Sequence, residues 1–306
     1  MNLDLQSNKT NEATDMNKCL ENKIFFDDLD LHDDLLDALW DMHFDECTPI
    51  QGKCIPLILD KKDLIGIAQT GTGKTAAFLL PILSLLSSEP HPEDAVNCLI
   101  MAPTRELARQ IDQALQGFAY YLNIRSVAIY GGNDGVRYEQ ERTSLIKGAD
   151  IVIATPGRLI THLQLGTLDL SRTTYLVLDE ADRMLDMGFC DDILKIVAKL
   201  PSKRQTILFS ATMPPKIENF AKSIMNKPVE VKISIAKPAD KIDQCIFLCH
   251  ESDKMKLVQH IFATEDMKRT ILFASSKKKV KELYAMLVKN NINAKSMHSD
   301  LEQSQR

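Results

Sequence analysis

The chain has 306 residues, 44% hydrophobic and 26% charged, which excludes collagen-like, wholly disordered and membrane-spanning classes. Its net charge of −5 is unevenly spread: residues 1–60 hold 14 acidic and 4 basic side chains, and the other 246 hold 28 and 33. The pI of 5.8 therefore leaves room for a polyanion partner on a local basic surface. No run approaches ~18 apolar residues. Asp4, Glu12 and Asp15 interrupt the start of the chain, so neither a transmembrane helix nor a signal peptide is expected. The cysteines, at 19, 47, 54, 98, 190, 245 and 249, are odd in number and scattered, which points to reduced thiols in a cytoplasm. Cys245 and Cys249 alternate with Phe247 on one face of an expected strand, a better account of them than zinc.

In chain order, residues 1–23 form a polar, acidic tail without apolar periodicity, expected to be disordered. Leu35, Leu36, Leu39 and Trp40 recur at helical spacing and predict a helix over 32–42. Short apolar runs at 64–68, 98–102, 126–130, 150–155, 175–179 and 206–210 then alternate with helical patterns. Near-continuous apolar strands separated by helices indicate an α/β domain, spanning 24–227, with a parallel sheet covered on both faces. Lys227-Pro228 and Lys237-Pro238 bracket one β-like run, 229–235, and X-Pro steps disfavour helix, so 228–242 is expected to be a linker. A second α/β pattern follows over 243–306, with strands at 244–249, 270–274 and 294–297 and a helix at 277–289. Ser299-Asp300-Leu301-Glu302 is a capping box announcing a further helix. A region of ~65 residues is thin for an independent α/β core, so this second domain is expected to be incomplete.

Ala68-Gln69-Thr70-Gly71-Thr72-Gly73-Lys74-Thr75 fits the P-loop spacing between a strand and a helical pattern. Its glycines let successive backbone N–H groups turn toward one anion, and the helix N-terminus adds positive potential. Lys74 is expected at the β- and γ-phosphates and Thr75 on Mg²⁺. The run 175–178 ends in Asp179-Glu180-Ala181-Asp182. Parallel sheets bind ligands at strand C-termini, so Asp179 is the expected metal holder and Glu180 the group that orients or deprotonates water.

With Asp-Glu-Ala-Asp after a P-loop, the chain resembles a DEAD-box ATP-dependent RNA helicase of superfamily 2 over about residues 24–306. The resemblance implies a RecA-like domain followed by an incomplete second RecA-like domain. Phe26 and the segment Phe44–Gln51 resemble the family's adenine element, in which Phe26 would stack on the base and Gln51 would pair with its edge. His43 departs from the usual Gly there. Pro103-Thr104-Arg105, Gly131-Gly132 and Thr155-Pro156-Gly157-Arg158 follow three of the strands. They resemble the elements that hold an RNA backbone and ribose without reading bases. Ser210-Ala211-Thr212 resembles the element that couples nucleotide state to strand separation through the Asp182 neighbourhood. Gln303 and Arg306 match a Gln-x-x-Arg element of the second domain, where Ser299 departs from the usual Gly. The Lys277–Lys279 run reads as a solvated helix face. No Asp-Ala-x-Arg-Gly or His-Arg-x-Gly-Arg-x-Gly-Arg segment occurs in the 306 residues, and in the family the latter carries the arginine finger. The expectation is an RNA helicase with ATP and Mg²⁺ as cofactors and RNA as partner, impaired in turnover as a truncated form. A non-enzymatic ATP/RNA binder and another P-loop ATPase, such as a DNA translocase, stay open as alternatives.

Overall fold

Seven short strands, all parallel, pair in the order β3-β4-β2-β5-β6-β1-β7 in the computed structural model, which describes residues 23–131, 135–233, 245–264, 267–302 and 305. They are β1 (Leu64–Ile67), β2 (Cys98–Met101), β3 (Ser126–Ile129), β4 (Ile151–Ala154), β5 (Tyr175–Leu178), β6 (Gln205–Ser210) and β7 (Val229–Lys232). The first unit's helices are α1 (Asp33–Asp41), α2 (Pro49–Leu59), α3 (Lys74–Ser88), α4 (Arg105–Phe118), α5 (Gly135–Ile146), α6 (Pro156–Gln164), α7 (Ala181–Asp186), α8 (Cys190–Val197) and α9 (Pro215–Ile224).

Successive strand residues point to opposite faces, so each apolar run feeds two cores. Leu64, Ile100, Ile153, Val177 and Ile207 pack on one side with Phe78 of α3. Ile65, Leu99, Val152, Leu176 and Leu208 pack on the other with Met184 and Ile217. Helices on both faces make every one of these residues solvent-inaccessible or nearly so, which is why the strands read as continuous rather than alternating apolar runs. Gly66 sits where a Cβ would come within 2.2 Å of the Phe209 ring, so β1 reaches β6 only with glycine at that point.

The expected strands 64–68, 98–102, 126–130, 150–155 and 175–179 each end before their last residue. Ala68, Ala102, Tyr130, Thr155 and Asp179 leave the ladder, and all are thereby brought to one edge of the sheet. The segment expected to open the linker differs: Val229–Lys232 pairs with β1 and closes the sheet as an edge strand. An edge strand tolerates prolines just outside its ladder, which is why the X-Pro punctuation misleads here.

The chain divides into two compact units, Met1–Ala236 and Lys237–Arg306. In the second, α10 (Lys254–Thr264) and α11 (Lys277–Lys289) form, the latter capped by the Ser276 hydroxyl, which accepts from Lys279 N–H at 3.3 Å. The expected strands there do not form: the described residues of 244–249, 270–274 and 294–297 carry no ladder. An extended run becomes a strand only through partner hydrogen bonds, and these runs leave Leu248 98% and Phe273 93% exposed. Nor does the capping box start an α-helix among the described residues; Gln305 N–H makes a 3-10-type bond to Glu302 O at 3.0 Å. Leu301 N–H closes a turn on the His298 carbonyl instead. Residues 1–22 of the expected tail lie outside the described residues, as does 234–244, most of the expected linker. No helix among the described residues is long and apolar enough to cross a membrane.

Candidate nucleotide and nucleic-acid sites

After β1 the chain turns through Gly71 (φ 79°) and Gly73 (φ 89°), left-handed conformations that favour glycine, and enters α3 at Lys74. Gln69, Thr70 and Gly71 are exposed at the tip, and the Thr72 hydroxyl donates to Gln69 O at 2.8 Å. Ala68 is tied down by its N–H on Ser210 O at 3.1 Å. Lys74 is 7% exposed and its Nζ donates to Ala68 O at 3.0 Å, using one of three donors. Thr75, half-buried, follows it on the first turn.

Gln51, on the first turn of α2, is 3% exposed and bridges two backbones. Its Oε1 accepts from Thr48 N–H at 2.8 Å and its Nε2 donates to Gly73 O at 3.1 Å. A Cβ on Gly73 would lie 2.4 Å from that Nε2, so the loop fits the amide only as glycine. One N–H and one lone pair of the amide remain for a base edge. Phe26 departs from expectation. Its ring is 2% exposed, packed in the core and tilted against Phe44 at 6.4 Å, because this segment turns through a short 3-10 helix, Phe26–Asp28, with the ring inward. No ring face is open for a base to stack on; Phe25, 45% exposed, is the open aromatic of the segment.

Asp179 stands at the end of β5, 3% exposed, its N–H on Met101 O at 3.0 Å. Burial pushes its carboxyl up to about 6, against the opposing pull of the Lys74 ammonium. Glu180 follows in the left-handed region at φ 51°, an uncommon conformation for a residue with a side chain. Its N–H donates to Asp179 Oδ1 at 2.9 Å and its carboxylate takes Arg183 at 3.2 Å. Asp182 Oδ2 accepts both the N–H and the hydroxyl of Thr212, each at 2.9 Å, and Ser210 Oγ donates to Thr212 O at 2.7 Å. The expected acid, coupling and phosphate elements thus converge on the adjoining ends of β5, β6 and β1.

The other expected set lies on the same sheet edge, at the ends of β2, β3 and β4. Pro103 is buried, and the Thr104 hydroxyl caps α4 by accepting from Leu107 N–H at 3.3 Å. Arg105 is exposed, and a Cβ at Gly131 would lie 3.9 Å from its Nη2. Thr155 N–H donates to Ile129 O at 3.1 Å, Pro156 opens α6, and no atom lies within 4 Å of where a Cβ on Gly157 would be. Arg158 differs from the free donor expected. Its side chain is 15% exposed, and its Nε donates to Glu141 Oε2 at 2.8 Å. Glu141, Tyr138 and His162 around it give no signal in the sequence, because no motif or periodicity links residues on two helices. Gly132, Gln303 and Arg306 lie outside the described residues.

These residues fit a nucleoside triphosphate: two left-handed glycines, an open loop tip and a buried ammonium with donors to spare. No group of three or more acidic, His or Cys side chains among the described residues forms a metal cage. The donors present, the Asp179 carboxylate and the Thr75 hydroxyl, fit Mg²⁺, which keeps several waters and is held through one or two carboxylates plus substrate phosphates.

The DEAD/DEAH box helicase family profile matches residues 48–220. The chain is 42% identical over 290 residues to the ATP-dependent RNA helicase DeaD of Haemophilus influenzae, covering 94% of this chain and 46% of that protein. It is 40% identical over 282 residues to the DEAD-box ATP-dependent RNA helicase CshA of Geobacillus kaustophilus, covering 92% of this chain and 59% of that protein. The chain thus spans about half the length of these curated relatives. Among solved structures, a DEAD box protein from the hyperthermophile Methanococcus jannaschii superposes with a TM-score of 0.64 at 34% identity, over 92% of this chain and 75% of that one.

Proposed function

This chain belongs to the DEAD/DEAH box helicase family, and from that premise we propose that it binds ATP with Mg²⁺ and, within the whole protein, uses ATP hydrolysis to remodel or unwind short RNA duplexes in the cytoplasm. The observation that carries the reading is the arrangement of one sheet edge. Lys74, Asp179 and Gln51 converge at one part of it, and Arg105, Gly131, Thr155 and Gly157 gather at another. Lys74 exchanges its bond to Ala68 O for the β- and γ-phosphates. Gln51 offers its remaining donor and acceptor to adenine. Asp179 and Thr75 would hold Mg²⁺, which when bound would neutralise phosphate charge. Glu180 orients the attacking water and takes its proton. In the groove, Arg105, the Thr155 hydroxyl and the open backbone at Gly157 face phosphate and ribose. Contacts to 2′-hydroxyls would favour RNA over DNA.

An arginine finger contributes about 10³–10⁵ in rate. The 306 residues hold no His-Arg-x-Gly-Arg-x-Gly-Arg segment, so this polypeptide by itself binds ATP, turns it over slowly and does not unwind duplexes. Steady-state ATPase with single-stranded RNA, single-stranded DNA and neither tests both parts. Failure to bind ATP removes the nucleotide reading. Stimulation by DNA equal to that by RNA favours a DNA translocase. Robust RNA-stimulated turnover removes the expected impairment and requires an arginine from a second chain.

A further inference from the structure

The helices that follow two walls of the groove are joined by a compact four-residue box. Tyr138 and Glu141 stand on α5, and Arg158 and His162 stand on α6. The Arg158 guanidinium carbon sits 4.8 Å from the centre of the Tyr138 ring, and its Nε donates to Glu141 Oε2 at 2.8 Å. The His162 ring stacks on Tyr138 at 4.9 Å and 15°, and its Nε2 meets the same Glu141 oxygen at 3.2 Å. His162 Nδ1 is held by the Thr167 hydroxyl at 2.9 Å. His162 is 0% and Glu141 5% exposed, and Arg158 Nη2 is sealed from solvent. Burial pushes the Glu141 carboxyl up, but the hydrogen bonds from His162 and Arg158 and their charges outweigh it and hold the group below the usual carboxylate range.

We propose that Glu141 and Arg158 are positioning residues: a buried latch that fixes α6 to α5, and so holds the Thr155–Gly157 turn in place on the sheet edge, while Arg158 itself makes no phosphate contact. The role of Arg158 toward phosphate rests on the reading of this edge as an RNA groove. α5 opens at Gly135, four residues after Gly131, and α6 opens at Pro156, directly after Thr155. Holding α6 against α5 therefore holds the Thr155–Gly157 turn that opens α6. A guanidinium stacked on a ring, with Nε committed and one terminal nitrogen sealed, cannot offer a bidentate fork to phosphate without giving up the carboxylate. Its charge is already neutralised at 2.8 Å by a buried acid. Backbone N–H groups, the Thr155 hydroxyl and Arg105 are left as the RNA-facing donors.

The test uses the 306-residue protein and a fluorescein-labelled oligouridylate, titrated from low to moderate salt, for wild type, Glu141→Gln, Glu141→Ala, Arg158→Ala and the double alanine variant. Backbone hydrogen exchange over 135–164 is measured without RNA, and nucleotide affinity at the P-loop reports that each variant is folded. The expected result has four parts. Each alanine variant weakens RNA binding about tenfold, and the double variant is no worse than either. The slope of log affinity on log salt is unchanged. Glu141→Gln, which keeps an acceptor of the same shape, retains most of the binding. Exchange over 135–164 accelerates in both alanine variants while nucleotide affinity holds within about twofold. Tighter RNA binding by either Glu141 variant, with a salt slope about 0.7 shallower in Arg158→Ala, would mean a lost phosphate contact and overturn the proposal. Unchanged exchange in both alanine variants overturns the latch whatever RNA does. Accelerated exchange in a protein whose wild type binds no RNA leaves the latch standing and removes the groove reading alone.

Discussion

Asp182 Oδ2 receives two hydrogen bonds from a single residue, the Thr212 N–H and the Thr212 hydroxyl, both at 2.9 Å. One oxygen on the helix after β5 thereby fixes the direction of the chain leaving β6. Thr212→Val keeps the shape and the backbone bond and removes the hydroxyl donor. The pair is exposed, so folding stability should fall by at most about 1 kcal/mol. Communication between the two ligand sites should suffer more. RNA affinity measured with and without a non-hydrolysable ATP analogue should lose its nucleotide dependence, and an undiminished ratio would show that this pair carries none of the coupling.

Lys74→Ala removes the ammonium now resting on Ala68 O. Nucleotide affinity should fall by roughly 100-fold or more in calorimetry, because the charge facing the β- and γ-phosphates is gone. The thermal midpoint should change little, since the loop tip is solvent-facing. Wild-type affinity in this variant would refute the phosphate-loop assignment.

Gln51→Ala acts at two places, since the amide serves Thr48 N–H and Gly73 O together. ATP affinity should drop by about tenfold or more, roughly 1.4 kcal/mol, and GTP affinity should stay poor. A site with unpaired buried polar groups rejects the wrong base. Equal binding of ATP and GTP by wild type would show that the amide does not read adenine.

Asp179 gives a pH signature in the ligand-free protein. Burial pushes its folded carboxyl up to about 6, from an ordinary 3.8. The folded state therefore takes up a proton before the unfolded state does as pH falls, so this group's contribution becomes more favourable between about 6 and 3.8. Above that range the buried charge costs about 3 kcal/mol, since each tenfold gain in proton affinity on folding corresponds to about 1.4 kcal/mol. Asp179→Asn should raise the urea midpoint near neutral pH and lose that advantage in acid, close to where the unfolded carboxyl titrates, while abolishing Mg²⁺-dependent nucleotide binding. A variant less stable than wild type at neutral pH would contradict the burial argument.

Glu180→Gln keeps the acceptor for Arg183 and removes the base. Nucleotide binding should persist and residual hydrolysis should fall below detection. A loss of binding as large as that of Lys74→Ala would place Glu180 among the phosphate-holding residues instead.

The strands of the first unit were legible because both faces of each are buried, which turns 98–101, 151–154 and 175–178 into unbroken apolar runs. The P-loop and Asp179 were legible for a related reason: their chemistry is local in sequence. Phe26 was not, since an aromatic ring beside an adenine element serves a core as well as a stack, and only its 2% exposure decides between them. Val229–Lys232 reads as β-like, but its place in the first unit's sheet was hidden by flanking prolines that an edge strand accepts. Arg158 was legible as part of a motif, but its bond to Glu141 was not, the two being 17 residues apart on separate helices with no spacing rule to join them. In the second unit, the run 270–274 has strand composition but no partner ladder, and composition alone cannot report pairing.

Sheet order ranks the two ligand sites by endurance. The nucleotide loops spring from β1, β5 and β6, each flanked by neighbours on both sides, whereas the outer groove wall springs from β3, a margin strand with only Ile129 fully enclosed. Local opening starts where few apolar contacts hold an element. Mild heat or denaturant should therefore fray the β3 margin first, stripping the groove of its Gly131 wall while the phosphate loop still grips. Such a partly opened molecule would go on sequestering nucleotide with nothing to spend it on.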